Sequence, residues 1–288
     1  MLRYDEARPL QFVGHRPGRI SDDTQQTMLV AEILLDCGVM DPVELSVRLQ
    51  DWVTFGVGKG RATVEAIRRL ASGVPWHAAG SPSAGNGAAM RVAPIGLRRW
   101  RDRSLRWTEA ALCAMPTHHD PMAIASAVVM ADAVASLVAT APEDFDGRRF
   151  VEDLARTADA WDPRQLPERR DPASRTSLGD RMREVPAYVD ADPAAAIRDH
   201  FWSGAFVLES LPTALWCFLR HPHDPGEVLR EALLVGHDTD TVASFAGTLA
   251  GALSGASQLP ASLLEQVEEG DRLTADAQRL WQASVGEP

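Results

Sequence analysis

Toward its C-terminal end the chain reads GHDTDTVASFAGTLAGAL, and toward its N-terminal end RISDDTQQTMLVAEILL. In the first stretch Asp238 and Asp240 alternate with Thr239 and Thr241. In the second, Ser21, Asp22, Asp23 and Thr24 are consecutive. Each set stands just before a run of small and apolar residues. Ser, Asp and Thr are favoured helix N-caps, and acids suit a first turn. Capping explains one such side chain per helix, however, and each stretch supplies four. Neighbouring carboxylates repel each other unless a cation neutralises them. Hard divalent cations take oxygen ligands, and both runs offer oxygen rather than the thiolates of a zinc site. If the two helix starts meet in space, four aspartates can hold two divalent ions. They lie more than two hundred residues apart, so the sequence does not itself bring them together.

Two further stretches bear on chemistry. In SPSAGNGAAMRVAPIG, Ser83, Gly85, Asn86 and Gly87 form a small-residue turn before a helical pattern. Free backbone N–H groups at such a start cradle phosphate; the competing reading is a tight turn whose glycines take positive φ. In MPTHHDPMAIASAVV, His118, His119 and Asp120 precede Pro121, and the plain reading is a capping Asp120 beside exposed histidines. The segment FGVGKGRAT looks phosphate-binding, but Gly56, Gly58 and Gly60 between two helical patterns are more often a turn.

The elements that must position these groups read as helices. After Thr241 the apolar residues Val242, Phe245, Ala246, Leu249, Ala250 and Leu253 keep to one helix face. Helices are also expected over 23–36, 42–55, 121–138, 207–219 and 260–281, several opened by Asp-Pro or Leu-Pro. No six-residue stretch alternates as a strand would. The fold expected is all-α, with roughly ten to thirteen helices, and the proline- and charge-rich stretch 159–180 as a surface loop. With 45% hydrophobic residues in 288, a full core can be buried. The net charge of −11 argues against a broad nucleic-acid surface. No run of about twenty apolar residues suggests a membrane span, and no apolar leader opens the chain. Cys37, Cys113 and Cys217 are widely spaced in apolar helical contexts and read as buried thiols. A cytoplasmic protein is expected.

Together these stretches resemble the ADP-ribosylglycohydrolase family, the group that includes the dinitrogenase reductase-activating glycohydrolases. Where that family carries T-D-D-T-Q, this chain has SDDTQ. For G-N-G-A-x-M-R it has GNGAAMR, for T-H before a long helix it has PTHHDP, and for G-G-D-T-D-T it has GHDTDT. The order and rough spacing agree from about Arg19 to Gly255. The resemblance implies one all-α orthogonal helix bundle spanning residues 1–288, with two divalent cations, Mg²⁺ or Mn²⁺. It implies Ser21, Asp22, Asp23, Asp238, Asp240 and Thr241 as ligands, and Asp22 and Asp23 as the catalytic carboxylates. The Ser83–Gly87 turn would take the diphosphate of ADP-ribose, with His118 beside the ribose. The substrate implied is an ADP-ribosylated protein or a small ADP-ribose conjugate.

Three departures are visible. Ser21 replaces a threonine and keeps the hydroxyl. His237 replaces the second glycine of G-G-D-T-D-T, where a bulky imidazole is expected to narrow the pocket or touch the substrate. A G-D-x-x-G-x-P-x-E motif, with a glutamate the family places beside the scissile bond, is not found in the twenty residues before Ser21. The resemblance then implies either a chain that begins late or a variant that works without that glutamate. Such a variant would be a slow hydrolase or a catalytically inactive ADP-ribose binder. Two other readings compete. DTDT fits the D-x-D-x-T nucleophile motif of haloacid dehalogenase-type phosphatases, which should follow a strand near the start of an α/β domain. His119-Asp120 fits an HD-type metal phosphohydrolase, which needs a further His and a distal Asp.

Overall fold

The structure is a computed structural model that describes residues 17–162 and 177–286. Residues 1–16 and 163–176, which include the start of the chain and the middle of the expected loop, lie outside the described residues. The flanks of that loop are helical. In order, the helices are α1 (Asp22–Cys37), α2 (Pro42–Trp52), α3 (Arg61–Ala71), α4 (Trp76–Ala79), α5 (Ala93–Arg98), α6 (Arg103–Ala114), α7 (Pro121–Val138) and α8 (Gly147–Ala160). There follow α9 (Leu178–Glu184), α10 (Pro193–Asp199), α11 (Val207–Arg220), α12 (Pro225–Leu234), α13 (Thr239–Ser254), α14 (Ala261–Leu264) and α15 (Gly270–Gly286). No strand occurs among the described residues; two isolated bridges, Ser81 with His118 and Gly85 with Phe206, are the β pairings. The fold is all-α, as expected.

The core is built around α7, which packs against α5, α6, α8 and α13. Its sequence is almost wholly Ala, Val, Met, Leu and Ile, so it is buried nearly all round rather than on one stripe. By length and composition alone α7 could cross a membrane, with 18 residues of mean hydropathy 1.8. Here 72% of it is buried inside the fold, and its one acid is satisfied by protein. Asp132 accepts hydrogen bonds from Arg106 Nε at 2.6 Å, Trp107 Nε1 at 2.8 Å and Thr157 Oγ1 at 2.8 Å. A buried charge is tolerated where it is paired and hydrogen-bonded in this way.

Three details differ from the sequence expectation. The helix expected over 260–281 is broken into α14 and α15, because the chain turns at 265–269 with Glu269 at φ 62°. That turn docks onto the start of the described chain, where Glu268 N–H donates to Gly18 O at 2.8 Å. The helix expected over 42–55 ends at Trp52, where Gly56 N–H folds back onto Trp52 O at 2.8 Å. Cys37 is exposed at the last residue of α1, whereas Cys113 and Cys217 are buried as expected. The fifteen helices among the described residues exceed the expected number because short ones such as α4 and α14 leave no period to read.

Candidate metal and substrate site

Capping separates the two acidic helix starts from the rest. Asp41, Asp102, Asp120, Asp146, Asp192 and Asp224 each occupy an N-cap, and each side chain accepts a backbone N–H of its own first turn. Asp238 is also an N-cap, of α13, yet makes no such bond; nor does Ser21 at α1. Their oxygens point elsewhere. Ser21 Oγ donates to Asp23 Oδ2 at 3.0 Å. Asp238 accepts from Asn86 Nδ2 at 2.6 Å and from Thr241 Oγ1 at 3.4 Å. Capping, the plain explanation of these residues, is what they do not do.

The two helix starts converge. One carboxylate oxygen from each of Asp22, Asp23 and Asp240 lies within 4.8 Å of the others, and Thr241 Oγ1 reaches Asp23 Oδ2 at 3.5 Å. Asp22 and Asp23 are buried, and Asp23 Oδ1 is enclosed without a hydrogen-bond donor. A buried carboxylate oxygen without a donor, facing further carboxylates, is the arrangement a hard cation completes. The donor set of aspartates and hydroxyls fits Mg²⁺ or Mn²⁺ better than zinc.

Without a cation the cluster holds protons instead. Burial first, then the charges of Asp23 and Asp240, push Asp22 from 3.8 up to about 8. Burial, then Asp240, push Asp23 up to about 7. Asp238 is raised too, chiefly by burial. Raised acids give stability that is fully present below their unfolded value and is lost as pH rises through 7 and 8. His118 works the other way, since burial lowers it from 6.5 to about 3, and its contribution is complete above 6.5. In chelator, the melting temperature should therefore fall as pH rises from 6.5 past 8, and saturating Mg²⁺ should flatten the fall. Melts at four pH values with and without metal check this; equal slopes would count against the cluster as a cation site.

The acids open onto a cavity of about 420 Å³ lined by Asp22, Asp238, Asp240 and Thr241 at one end. Ser83, Gly85, Asn86, Gly87 and His118 also line it. The Ser81–Gly87 segment is held on both sides: Ser81 N–H donates to Thr117 O, and Asn86 N–H to Ala205 O, each at 2.9 Å. Gly85 has φ −76°, and neither it nor Gly87 takes positive φ. The tight-turn reading of these glycines is thus set aside; what matters is closeness. A Cβ on Gly87 would lie 3.1 Å from His118 Cε1, tighter than ordinary contact. His118 is 1% exposed and neutral, in contrast to the exposed histidine of the capping reading, although Asp120 does cap α7. Ser21 and Asp23 sit behind the cavity wall, and His237 does not line it. His237 is exposed, at φ 53°, with its ring 4.4 Å from that of Trp202.

A fully buried Arg91 links the parts. It donates to Gln26 Oε1 on α1 at 2.7 Å, to Cys113 O at 2.6 Å and to Thr117 Oγ1 at 2.8 Å. Thr117 Oγ1 in turn meets His118 Nδ1 at 2.9 Å. Arg91 and Thr117 fall inside the quoted motifs and Gln26 directly after SDDTQ, but none carries a role in the sequence reading. A larger omission is Gly58, Gly60, Arg61, Ala62, Thr63 and Glu65, which form one side of the cavity. FGVGKGRAT was the signal for them, and the turn reading undervalued it.

A family model described as ADP-ribosylglycohydrolase matches residues 2–288. The chain is 30% identical to "ADP-ribosylhydrolase ARH3" of Mus musculus, over 92% of this chain and 78% of that one. It is 27% identical to "ADP-ribosylarginine hydrolase Tri1" of Pseudomonas putida (97% and 72% covered). An uncharacterized protein of Archaeoglobus fulgidus is 30% identical (97% and 86% covered). A solved structure titled "ADP-ribosylglycohydrolase-related protein complex" superposes with a TM-score of 0.72 and 28% identity, covering 93% of this chain and 83% of that chain.

Proposed function

The chain belongs to the ADP-ribosylglycohydrolase family, and from that premise we propose that it is a metal-dependent hydrolase that releases ADP-ribose from a protein side chain or a small conjugate. The observation that carries the metal dependence is the convergence of the Asp22, Asp23 and Asp240 carboxylates, with one Asp23 oxygen enclosed and without a donor. On this reading Ser21, Asp22, Asp23, Asp238, Asp240 and Thr241 hold two divalent cations within one domain. When bound, such cations supply positive charge that orients the ribose hydroxyls and acidifies a water.

The chain's own residues do the rest. Cleavage at the anomeric carbon builds oxocarbenium character, which nearby carboxylates stabilise. Asp22, on the cavity wall, is placed to take a proton from the attacking water, and Asp23 behind it to hold the ligand set in line. The Asn86 amide is already committed to Asp238, so it fixes a ligand rather than the substrate. Ser83, Gly85 and Gly87 offer the close backbone approach that a diphosphate needs. His118, neutral and buried, packs beside the ribose position. A cytosolic location goes with this proposal, since Cys37 is an exposed free thiol.

The test is turnover of arginine-linked and serine-linked ADP-ribosyl substrates with Mg²⁺, Mn²⁺ or chelator. Release of ADP-ribose with metal and a loss of ~10²-fold or more in chelator is expected. Equal rates with and without metal would overturn the metal dependence. Binding of ADP-ribose without release from either substrate would make the chain a binder instead.

A further inference from the structure

The cavity has a side that neither the metal cluster nor the Ser83–Gly87 turn explains. It is the start of α3. Gly60, at the N-cap, has no side chain to cap with, and the first turn carries no acid. The first helical bond in α3 is Val64 N–H to Gly60 O, so the N–H groups of Arg61, Ala62 and Thr63 have no intrahelical partner. They carry the positive end of an 11-residue helix.

A second observation concerns Thr63. Its side chain is 2% exposed and lines the cavity, yet its hydroxyl bonds to no described residue. It lies 3.5 Å from where a Cβ on Gly87 would stand, so it points across to the small-residue turn. The residue is buried but its oxygen is not sealed off, so it opens onto the space a ligand would fill.

Charge supplies the third. Asp22, Asp238, Asp240 and Glu65 all line the cavity, and among the described residues Arg61 is the one Lys or Arg that does. A diphosphate entering there meets carboxylates on two sides, and His118 offers no charge. Arg61 is 92% exposed and holds Glu65 only at 3.8 Å, one helical turn away. Such i,i+4 pairs at a surface are worth ~0.3–0.5 kcal/mol, so the guanidinium is free to turn inward.

We propose that the first turn of α3 is a phosphate-binding wall facing the Ser83–Gly87 turn. The N–H groups of Arg61 to Thr63 and the Thr63 hydroxyl hold the diphosphate, and Arg61 leaves Glu65 to pair with it. The inference rests on the ADP-ribosyl reading for its natural ligand, but the site can be probed with a plain anion.

The experiment is calorimetric titration of the full chain in Mg²⁺ with ADP-ribose and, separately, inorganic pyrophosphate. Wild type is compared with Arg61→Gln and Thr63→Val at two salt concentrations. Arg61→Gln should weaken both ligands ~10-fold or more and flatten the salt dependence, and Thr63→Val should weaken both several-fold. Arg61→Gln changes an exposed residue, so it folds. Unchanged affinity for both ligands in both variants would overturn the wall. Arg61-dependent pyrophosphate binding without ADP-ribose binding would sink the ADP-ribosyl reading and keep the wall. A wild type that binds neither ligand would overturn the wall as well.

Discussion

Above pH 8 in chelator, Asp22→Asn is expected to melt at a higher temperature than the wild type, and to lose the further rise that Mg²⁺ or Mn²⁺ gives the wild type. The two effects have one cause. Burial first, then the charges of Asp23, Asp240 and Asp238 beside it, push the proton affinity of Asp22 up. Ionising it there costs folding free energy, at ~1.4 kcal/mol for each tenfold change in proton affinity. Asparagine removes that cost, and for a chain of this size each kcal/mol recovered raises the melting temperature by ~2–4 °C. The same carboxylate is the charge a cation needs, so the variant should gain without metal and gain nothing with it. Asp240→Asn separates the two. Asp240 is exposed in the first turn of α13, where asparagine serves the helix start as well. Near pH 6, where Asp22 and Asp23 keep their protons, its metal-free melt should barely move while its metal-induced rise shrinks sharply. Turnover of both variants should fall by ~10²- to 10⁴-fold. A metal-induced shift equal to wild type in both would remove these aspartates from the ligand set.

Much of the frame was legible because helices announce themselves locally. The α7 boundaries, 121–138, follow from Asp120-Pro121 and a long apolar run, and the structure agrees to the residue. α11, expected over 207–219, ends one residue later at Arg220, and the helix face read after Thr241 falls within α13. What failed was long-range. The local sign of a break in 260–281 is the lone Gly270, which a helical pattern tolerates, and the turn at 265–269 meets Gly18, 250 residues earlier in the chain. The end of α2 moved because the backbone closes over Trp52.

The candidate site divides in the same way. The surplus of oxygen over what a cap needs was visible in SDDT and DTDT, and the structure turns that surplus into the absence of capping bonds at Ser21 and Asp238. That the two starts meet could not be read from spacing. It depends on the Asn86 turn between them, whose amide reaches Asp238, and on Arg91 tying α1 to Thr117. His237 shows what a family pattern alone leaves open. The left-handed backbone that suits a glycine is kept at φ 53°, a conformation other residues adopt less readily. The imidazole is accommodated over Trp202, outside the cavity lining. FGVGKGRAT was discounted because glycines between helices are commonly turns. They are a turn here too, but one pressed against the Asp22 carboxylate.

That pressure is the basis of the second large effect. Gly58→Ala is expected to cost both stability and the metal site. Gly58 has φ +79°, and a Cβ there would stand 2.7 Å from Asp22 Oδ1. Two penalties combine. The left-handed backbone costs an alanine ~1–2 kcal/mol, and the methyl must displace the carboxylate or the loop. A control separates them. Gly73 has φ +87° with nothing within 4 Å of its would-be Cβ, so Gly73→Ala bears the backbone penalty alone. Gly60→Ala, without positive φ and also in open space, bears neither. The metal-free melting temperatures of Gly73→Ala and Gly58→Ala should both fall by several degrees. Gly58→Ala alone should lose most of the metal-induced rise and ~10²-fold in turnover, since a displacement of about 1 Å in a positioning group costs that much. Gly73→Ala should keep the full metal response. If Gly58→Ala binds metal as the wild type does, the loop yields instead of Asp22, and the segment from Gly58 to Thr63 positions the substrate without touching the ligands.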